Sequence, residues 1–360
     1  MVGFIGYVEI SRLAENGLTE RVTSLTKDGK AAVEQYYQNI ALSINDMSAS
    51  PNTVAGYRRL AMGWKSTPVD PSGTLVTDYI ANNPEPTGHR KDFLRAEAQN
   101  TYNQQHAEFH PSFRAWAELH GYYDFFLIDL DGNIIYTVMK ERDFASNLMT
   151  GPDRAGPLAK VFAQAKADAK AEVHFSDYAA YGPSAGVPAA FAAKALLDEN
   201  GKAIGIVAIQ LSDTVLNATL DGFSALGTTG EMVVIGADGL ARSSSRFESG
   251  FHILDALPVL ASLVTSTKGN LAAQPDIKLT DGNIGTASLI PLNLPGLDWH
   301  LAVEIDDVEA LGPVHMSLIS LAVGTLIAAV ITTGMGVLIA RGVTKPIGRI
   351  SGVIRTISEG

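Results

Sequence analysis

His106 and His110 stand four residues apart in a segment read as helix, a spacing that sets both imidazoles on one face, where they could ligate a metal or a haem. No third ligand accompanies them. Glu108 points off that face and His120 lies ten residues beyond His110, so helix-to-sheet hydrogen bonding is their expected use, and no metal or cofactor is assigned. A chain of 360 residues without cysteine has no disulfide, thiolate metal site or thiol nucleophile. No serine is assigned as a nucleophile, the run Ser243 to Ser245 falling just after a strand, and no Gly-x-x-x-x-Gly-Lys-Ser/Thr phosphate loop occurs. The expectation is a protein that is not an enzyme. What remains is carboxylates beside aromatic rings. Asp177, between Phe175 and Tyr178 on a half-buried strand, needs a partner. Aromatic faces with one or two carboxylates hold a cationic group through cation–π attraction and a charge-assisted hydrogen bond, the chemistry suited to an amine or quaternary ammonium.

Those groups need elements to hold them. Residues from about 10 to 50 hold no internal proline, and Leu18, Val22 and Leu25, then Val33, Tyr36, Ile40, Ile44 and Met47, recur every three or four positions, which predicts an amphipathic helix. At roughly 60 Å it is too long for one compact domain. Short helices to about Trp64 follow, then a stretch with Pro68, Pro71, Pro84 and Pro86, then a second helical run from about Arg90 to Leu119. At Tyr122 the period changes: YYDFFLIDLDGNIIYTVMK predicts a β-hairpin about Asp131-Gly132-Asn133. Glu172 to Tyr178, Ala189 to Leu197 and Ala203 to Leu211 predict further strands, and Gly156 to Lys170 a helix over one face. MVVIGADGLARSS from Met232 repeats the strand, Asp-Gly turn, strand plan 107 residues after the first, and WHLAVEID from Trp299 resembles GIVAIQLS from Gly205 as a closing strand that enters a helix at an Asp. Two related antiparallel sheet modules in tandem, of the α+β class, are expected.

From Met316 to Ala340 the chain has 25 residues without Asp, Glu, Lys or Arg, enough at 1.5 Å per residue to cross about 30 Å of hydrocarbon with a modest tilt. Residues 341–360 carry Arg341, Lys345, Arg349 and Arg355 against Glu359, a net of +3, which leaves −14 of the total −11 on residues 1–340. The basic flank is expected in the cytoplasm, and residues 10–314 outside the cell membrane, in the periplasm or beyond. The acidic balance also disfavours nucleic acid as a partner. MVGFIGYVEI at the amino end is apolar, too short to cross a bilayer and without the flank or cleavage site of a signal peptide, and is read as the outer end of a truncated first span.

With its elements in this order the sequence resembles the double-Cache sensor regions of bacterial transmembrane chemoreceptors, in which a long helix carries a distal and a proximal PAS-like sheet module ahead of a span. RGVTKPIGRISGVIRTISEG resembles the opening of a HAMP signalling helix, with Pro346 just inside the membrane and Ile347, Ile350, Ile354 and Ile357 on a coiled-coil seam that must pair with another helix, hence a homodimer. YIANNPEPTG, HAEFHPSFR, YYDFFLIDLDGNIIYTVMKERDF, SNLMTGP and YAAYGPSAGVPAAF are similar to a subgroup of these receptors found also on adenylate cyclases and histidine kinases. The resemblance implies this division: 1–9 the end of a first span, 10–120 the long helix and distal helical region, 121–215 the membrane-distal module, 216–314 the membrane-proximal module, 315–340 the span and 341–360 the start of HAMP. A downstream signalling domain is implied too, that of a methyl-accepting chemotaxis protein ahead of a histidine kinase or adenylate cyclase. A membrane-tethered solute-binding protein, the remaining alternative, would show βαβ units where this sequence shows hairpins.

The resemblance places a small-molecule ligand in the distal module. The residues so assigned are Tyr122, Tyr123, Asp124, Tyr136, Asp177, Tyr178, Tyr181, Ser184 and Phe191, and their makeup points to an amine, amino acid or betaine, with organic acids also in view. The amino-acid signature of such receptors sets an Arg, a Trp and a Tyr together after the first hairpin. KERDFASNLMTGP has Arg142 but neither aromatic, a departure from that signature, and Arg114 and Trp116 precede the sheet and are given no such role.

Overall fold

A computed structural model describes residues 2–67, 69–170 and 172–358, with the side chains of 1–8, 68, 171, 313, 315 and 343–360 outside that description. Helix α1 (Val2–Ala49) is followed by α2 (Pro51–Ser66), α3 (Pro71–Val76) running into a π turn at Thr77–Ala81, and α4 (Thr101–Leu119). The distal module then takes β1 (Asp124–Asp129), β2 (Ile134–Thr137), α5 (Pro157–Ala167), β3 (His174–Phe175), β4 (Ala179–Ala180), β5 (Pro188–Ala189), β6 (Phe191–Leu197) and β7 (Ala203–Gln210). Helix α6 (Asp213–Asp221) leads to the proximal module, made of β8 (Glu231–Gly236), α7 (Pro258–Thr267), β9 (Leu271–Lys278), β10 (Ile284–Pro291) and β11 (Trp299–Asp306), and α8 (Asp307–Ser358) closes the chain.

The two sheets share one wiring. Distal order is β2-β1-β7-β6-β3 and proximal order β8-β11-β10-β9, so in each the first strand pairs with the last, which pairs with the one before it. All neighbours are antiparallel. Helices α5 and α7 take matching places between the early and late strands and cover the outer faces. Alternation along the strands makes this possible. Phe125 and Leu127 turn toward α1 and α4 while Phe126 and Ile128 turn toward α5, and in the proximal sheet Met232 and Val234 face α1 while Val233 and Ile235 face α7.

Helix α1 joins the modules through one seam. Leu18, Val22 and Leu25 serve the proximal sheet, and Val33, Tyr37, Ile40, Ile44 and Met47 continue the same buried cluster into the distal one. Tyr37, rather than Tyr36, carries the stripe, since Tyr36 is only partly buried. Gly29 marks the closest crossing: a Cβ there would lie 2.8 Å from Met232 Sδ and 2.9 Å from Leu301 Cδ2.

Several boundaries differ from the expectation. The run Arg90 to Leu119 is helical only as a short 3-10 turn at Arg90–Asp92 and again from Thr101, because Asn100 caps the helix by accepting from the Asn103 amide at 2.7 Å. Strand β3 is two residues long, β6 begins at Phe191, and the return after Asp238-Gly239 is no full strand but the single bridge Ile235↔Ala241. Helix α8 runs unbroken for 52 residues, and its stretch Asp307–Gly342 is long and apolar enough to cross a membrane. Leu321, Leu326, Val330 and Leu338 on it are exposed. The seam of Ile347, Ile350, Ile354 and Ile357 and the apolar residues 1–8 fall outside the described side chains.

Candidate functional site

Beyond the β1–β2 hairpin the chain turns at Lys140 to Ala145, bracketed by left-handed backbone at Lys140 (φ 57°) and Ala145 (φ 62°). Neither is glycine, so the turn is held against its own preference by its surroundings. Thr137 Oγ1 accepts from the Lys140 amide at 2.9 Å, and Ser72 of α3 donates to the Ala145 carbonyl at 2.5 Å. The turn throws its side chains to opposite sides. Lys140 goes inward, its ammonium donating to the Thr137 carbonyl and standing 4.3 Å from the Tyr136 ring centre, 5.1 Å from Phe144 and 5.7 Å from Tyr79. The chain's own lysine therefore fills an aromatic box of the kind expected for a ligand cation.

Glu141 and Asp143 go the other way. Tyr123 donates to Glu141 Oε1 at 2.6 Å, Ser184 to Glu141 Oε2 at 2.7 Å, and Tyr181 to Asp143 Oδ2 at 2.7 Å. Arg142 reaches Asp153 Oδ1 at 3.1 Å across Gly182, where a Cβ would stand 2.5 Å from the guanidinium. The β4–β5 flap, tipped by the 3-10 turn Gly182–Ser184, closes over this group. Asp124 lies beneath, 1% exposed, its Oδ1 accepting from the amides of Phe125, Val138 and Met139 at 2.7, 2.8 and 3.0 Å.

Among the described residues, three acceptor atoms in this cluster have no hydrogen-bond partner: Asp143 Oδ1, Asp153 Oδ2 and Gln210 Oε1. A buried acceptor left unpaired costs about 1–3 kcal/mol. Burial, with the charge of Glu141, lifts Asp143 to about 7. Burial, with the charge of Asp143, raises Asp124 well above the carboxylate range against its three amide donors. Lys140 is brought down to about 7 by burial, against the pull of Asp124 and Asp143. The site is acidic, closed and short of donors.

Of the nine assigned residues, Tyr123, Asp124, Tyr181 and Ser184 gather here, with Phe191 packed edge-on to Tyr181 at 4.9 Å. Tyr136 lines the lysine box. Its hydroxyl donates to His110 Nδ1 at 2.6 Å, as it must, because His110 Nε2–H donates to the Lys91 carbonyl at 2.7 Å. His106 stacks on His110 at 4.5 Å and donates from Nδ1 to the Leu94 carbonyl. Burial holds both imidazoles neutral, His110 at about 3. Among the described residues no group of three His, Asp or Glu is placed to hold a metal. Tyr122 turns away to Ser43 of α1 and to Trp116 and His120.

Asp177 and Tyr178 lie outside this cluster. The Asp177 carboxylate accepts from Arg242 Nε at 2.5 Å and Nη2 at 2.8 Å and from Trp299 Nε1 at 3.1 Å, while Tyr178 stacks on Trp299 at 5.9 Å. Arg242 and Trp299 belong to the proximal module, so this carboxylate has a protein cation for a partner and clamps the two modules together. Gly182-Pro183-Ser184-Ala185-Gly186 does carry the Gly-x-Ser-x-Gly spacing, which the assignment of no nucleophile overlooked. A nucleophile elbow needs a strand-to-helix turn. Here the serine sits between two short strands, and among the described residues its hydroxyl meets Glu141 and Gln210 and no histidine.

A long helix carrying two antiparallel sheets, like double-Cache modules, with an apolar helix after them, is the class of architecture that these observations define. No protein-family model and no curated protein matches the chain. Among solved structures it is similar to the extracellular domain of the putative histidine kinase rpHK1S-Z16, at 15% identity and a TM-score of 0.48 over 83% of this chain and 97% of that one. It is also similar to the ligand-binding domain of the Pseudomonas aeruginosa PAO1 amino acid chemoreceptor PctB in complex with L-Arg (13%, TM-score 0.46, 82% and 97%). A third is the ligand-binding domain of the Pseudomonas fluorescens chemoreceptor CtaA in complex with L-isoleucine (14%, TM-score 0.45, 84% and 97%).

Proposed function

We propose that this chain is the sensor region of a transmembrane signalling receptor, and that the distal module binds a small organic cation, an amine or amino acid, outside the cell membrane. The observation that carries this is the distal cluster: its three unpartnered atoms are all acceptors, and they stand beside Glu141 and among Tyr123 and Tyr181. A primary ammonium brings up to three N–H donors and a compensating charge, so binding relieves a cost already present in the fold. Occupancy then biases α8 and a HAMP helix beyond it, in a homodimer, toward a downstream output of chemotaxis type. A ligand acts only by differing in affinity between signalling states, and the flap that carries Tyr181 and Ser184 is the part of the site that such states would move. Glu141→Gln tests the assignment: amine affinity measured by calorimetry should fall at least tenfold, and unchanged affinity removes the cluster from the site.

A further inference from the structure

We infer that the proximal module holds a second binding site for an organic cation with an apolar body, one whose occupancy bears directly on the helix that leads to the membrane. A cavity of about 700 Å³ opens beside β8 and β11, walled by Phe251, Leu257 and Leu279 and by the carboxylates of Glu231, Asp281 and Glu304. Glu231 and Glu304 are direct cross-strand partners, 8% and 4% exposed. Like charges directly opposite on a sheet repel, and burial sharpens the cost. Glu231 is partly answered, its Oε1 accepting from the Ser245 hydroxyl at 2.5 Å and the Arg246 amide at 2.9 Å. Glu304 is answered less: Oε2 accepts from the Thr280 amide at 3.1 Å, and among the described residues Oε1 has no hydrogen-bond partner.

The nearby guanidinium does not fill that role. Arg246 Nη2 donates to the Gly227 and Thr228 carbonyls at 2.6 and 3.1 Å, and the group lies 5.0 Å from the Phe247 ring centre. Among the described residues no three ligands are placed for a metal ion, and the wall opposite the carboxylates is aliphatic and aromatic, so an alkyl- or arylammonium fits the lining better than a bare ion. Burial, opposed by the Thr280 side chain and amide and aided by the charges of Glu231 and Asp281, lifts Glu304 to about 7, which a bound cation would reverse.

The cavity wall is also the clasp on α8. Thr228 and Thr229 line it, and their amides donate to Glu309 Oε1 and Oε2 at 2.8 and 2.6 Å, with the Thr229 hydroxyl on Oε2 as well. A molecule seated against these two residues touches the hold on the first turn of the apolar helix. The site is separate from the distal cluster and stands whether or not that cluster binds ligand.

The test uses the full 360-residue chain in lipid nanodiscs and a benzylamine bearing a trifluoromethyl diazirine, with the matching benzyl alcohol as neutral control. After photolysis, label from the amine is expected in peptides spanning 228–258 or 279–304, displaced by benzylamine and at least tenfold weaker with the alcohol. Glu304→Gln should lower it at least tenfold. Ser249→Trp, at the exposed mouth where folding is little affected, should do the same and keeps the test decisive if the buried variant fails to fold. Equal labelling by the alcohol, no label in these peptides, or label indifferent to Ser249→Trp overturns the inference. Label at 123–153 or 177–191 reports the distal cluster separately.

Discussion

Asp143 governs how the distal cluster meets a charged ligand. Its folded value near 7 lies above the unfolded one near 4, so the stability it lends is complete below about pH 4 and is lost as pH rises through about 7. A bound cation favours the carboxylate and works against that proton. Lys140, at about 7, gives up its competing charge over the same range. Glu141, Asp153, Asp124 and Tyr181 also face Asp143 and add no opposing cation. Amine affinity should therefore rise several-fold from about pH 6 to 8 with proton release, which calorimetry in buffers of different ionisation heat reads directly; a flat profile would count against Asp143 as a contact. Asp143→Asn should lower affinity at least tenfold, about 1.4 kcal/mol, while leaving stability near or above the parent's at pH 8, since it removes a buried charge with an unpaired oxygen. Tyr123, Tyr181 and Ser184 were assigned through the resemblance to double-Cache receptors. Glu141 and Asp143 were not, because KERDFASNLMTGP departs from the Arg, Trp and Tyr signature of that family, and no residue type announces left-handed backbone at Lys140 and Ala145.

At the scale of elements, the clamp of Asp177 on Arg242 ties the β3–β4 connection of the distal module to the segment after β8. The Arg242 side chain is 3% exposed and that of Asp177 45%, so solvent screens the pair from one side and its worth is about 1 kcal/mol rather than the several of a fully buried pair. Asp177→Ala should lower the melting temperature by a few degrees and leave distal amine affinity unchanged. A tenfold loss of affinity would return Asp177 to the ligand site. Glu309 is the other tie: its carboxylate accepts from the Thr228 and Thr229 amides at 2.8 and 2.6 Å and from the Thr229 hydroxyl. Glu309→Gln should speed hydrogen exchange at those amides, and unchanged exchange would show that the carboxylate does not hold the loop. The sequence showed that Asp177 needed a partner and could not show which, because Arg242 lies 65 residues further on and in the other module.

For the whole molecule, periodicity was enough to read the long helix and the β1–β2 hairpin, and a long run without charge was enough to read the apolar helix, since each is a local pattern. The shared wiring of the two sheets was half legible. Asp-Gly turns 107 residues apart marked the repeat, but the pairing of β1 with β7 and of β8 with β11 joins strands far apart in sequence. The exposed Leu321, Leu326, Val330 and Leu338 need lipid or another helix around them, so the chain should stay with the membrane fraction after carbonate extraction; release into the supernatant would argue against a span. Binding of an organic cation by the distal module through its unpartnered acceptors is tested most directly by stability. Thermal unfolding of the full chain in nanodiscs should be followed against amines, amino acids, betaines and organic acids, each at about a hundred times a micromolar dissociation constant, where a bound ligand adds about 2.7 kcal/mol. With the proximal cavity closed by Ser249→Trp, a rise in melting temperature is expected with at least one amine or amino acid, abolished by adding Glu141→Gln and retained on adding Asp177→Ala. A shift from organic acids alone, or one that survives Glu141→Gln in that background, would contradict it.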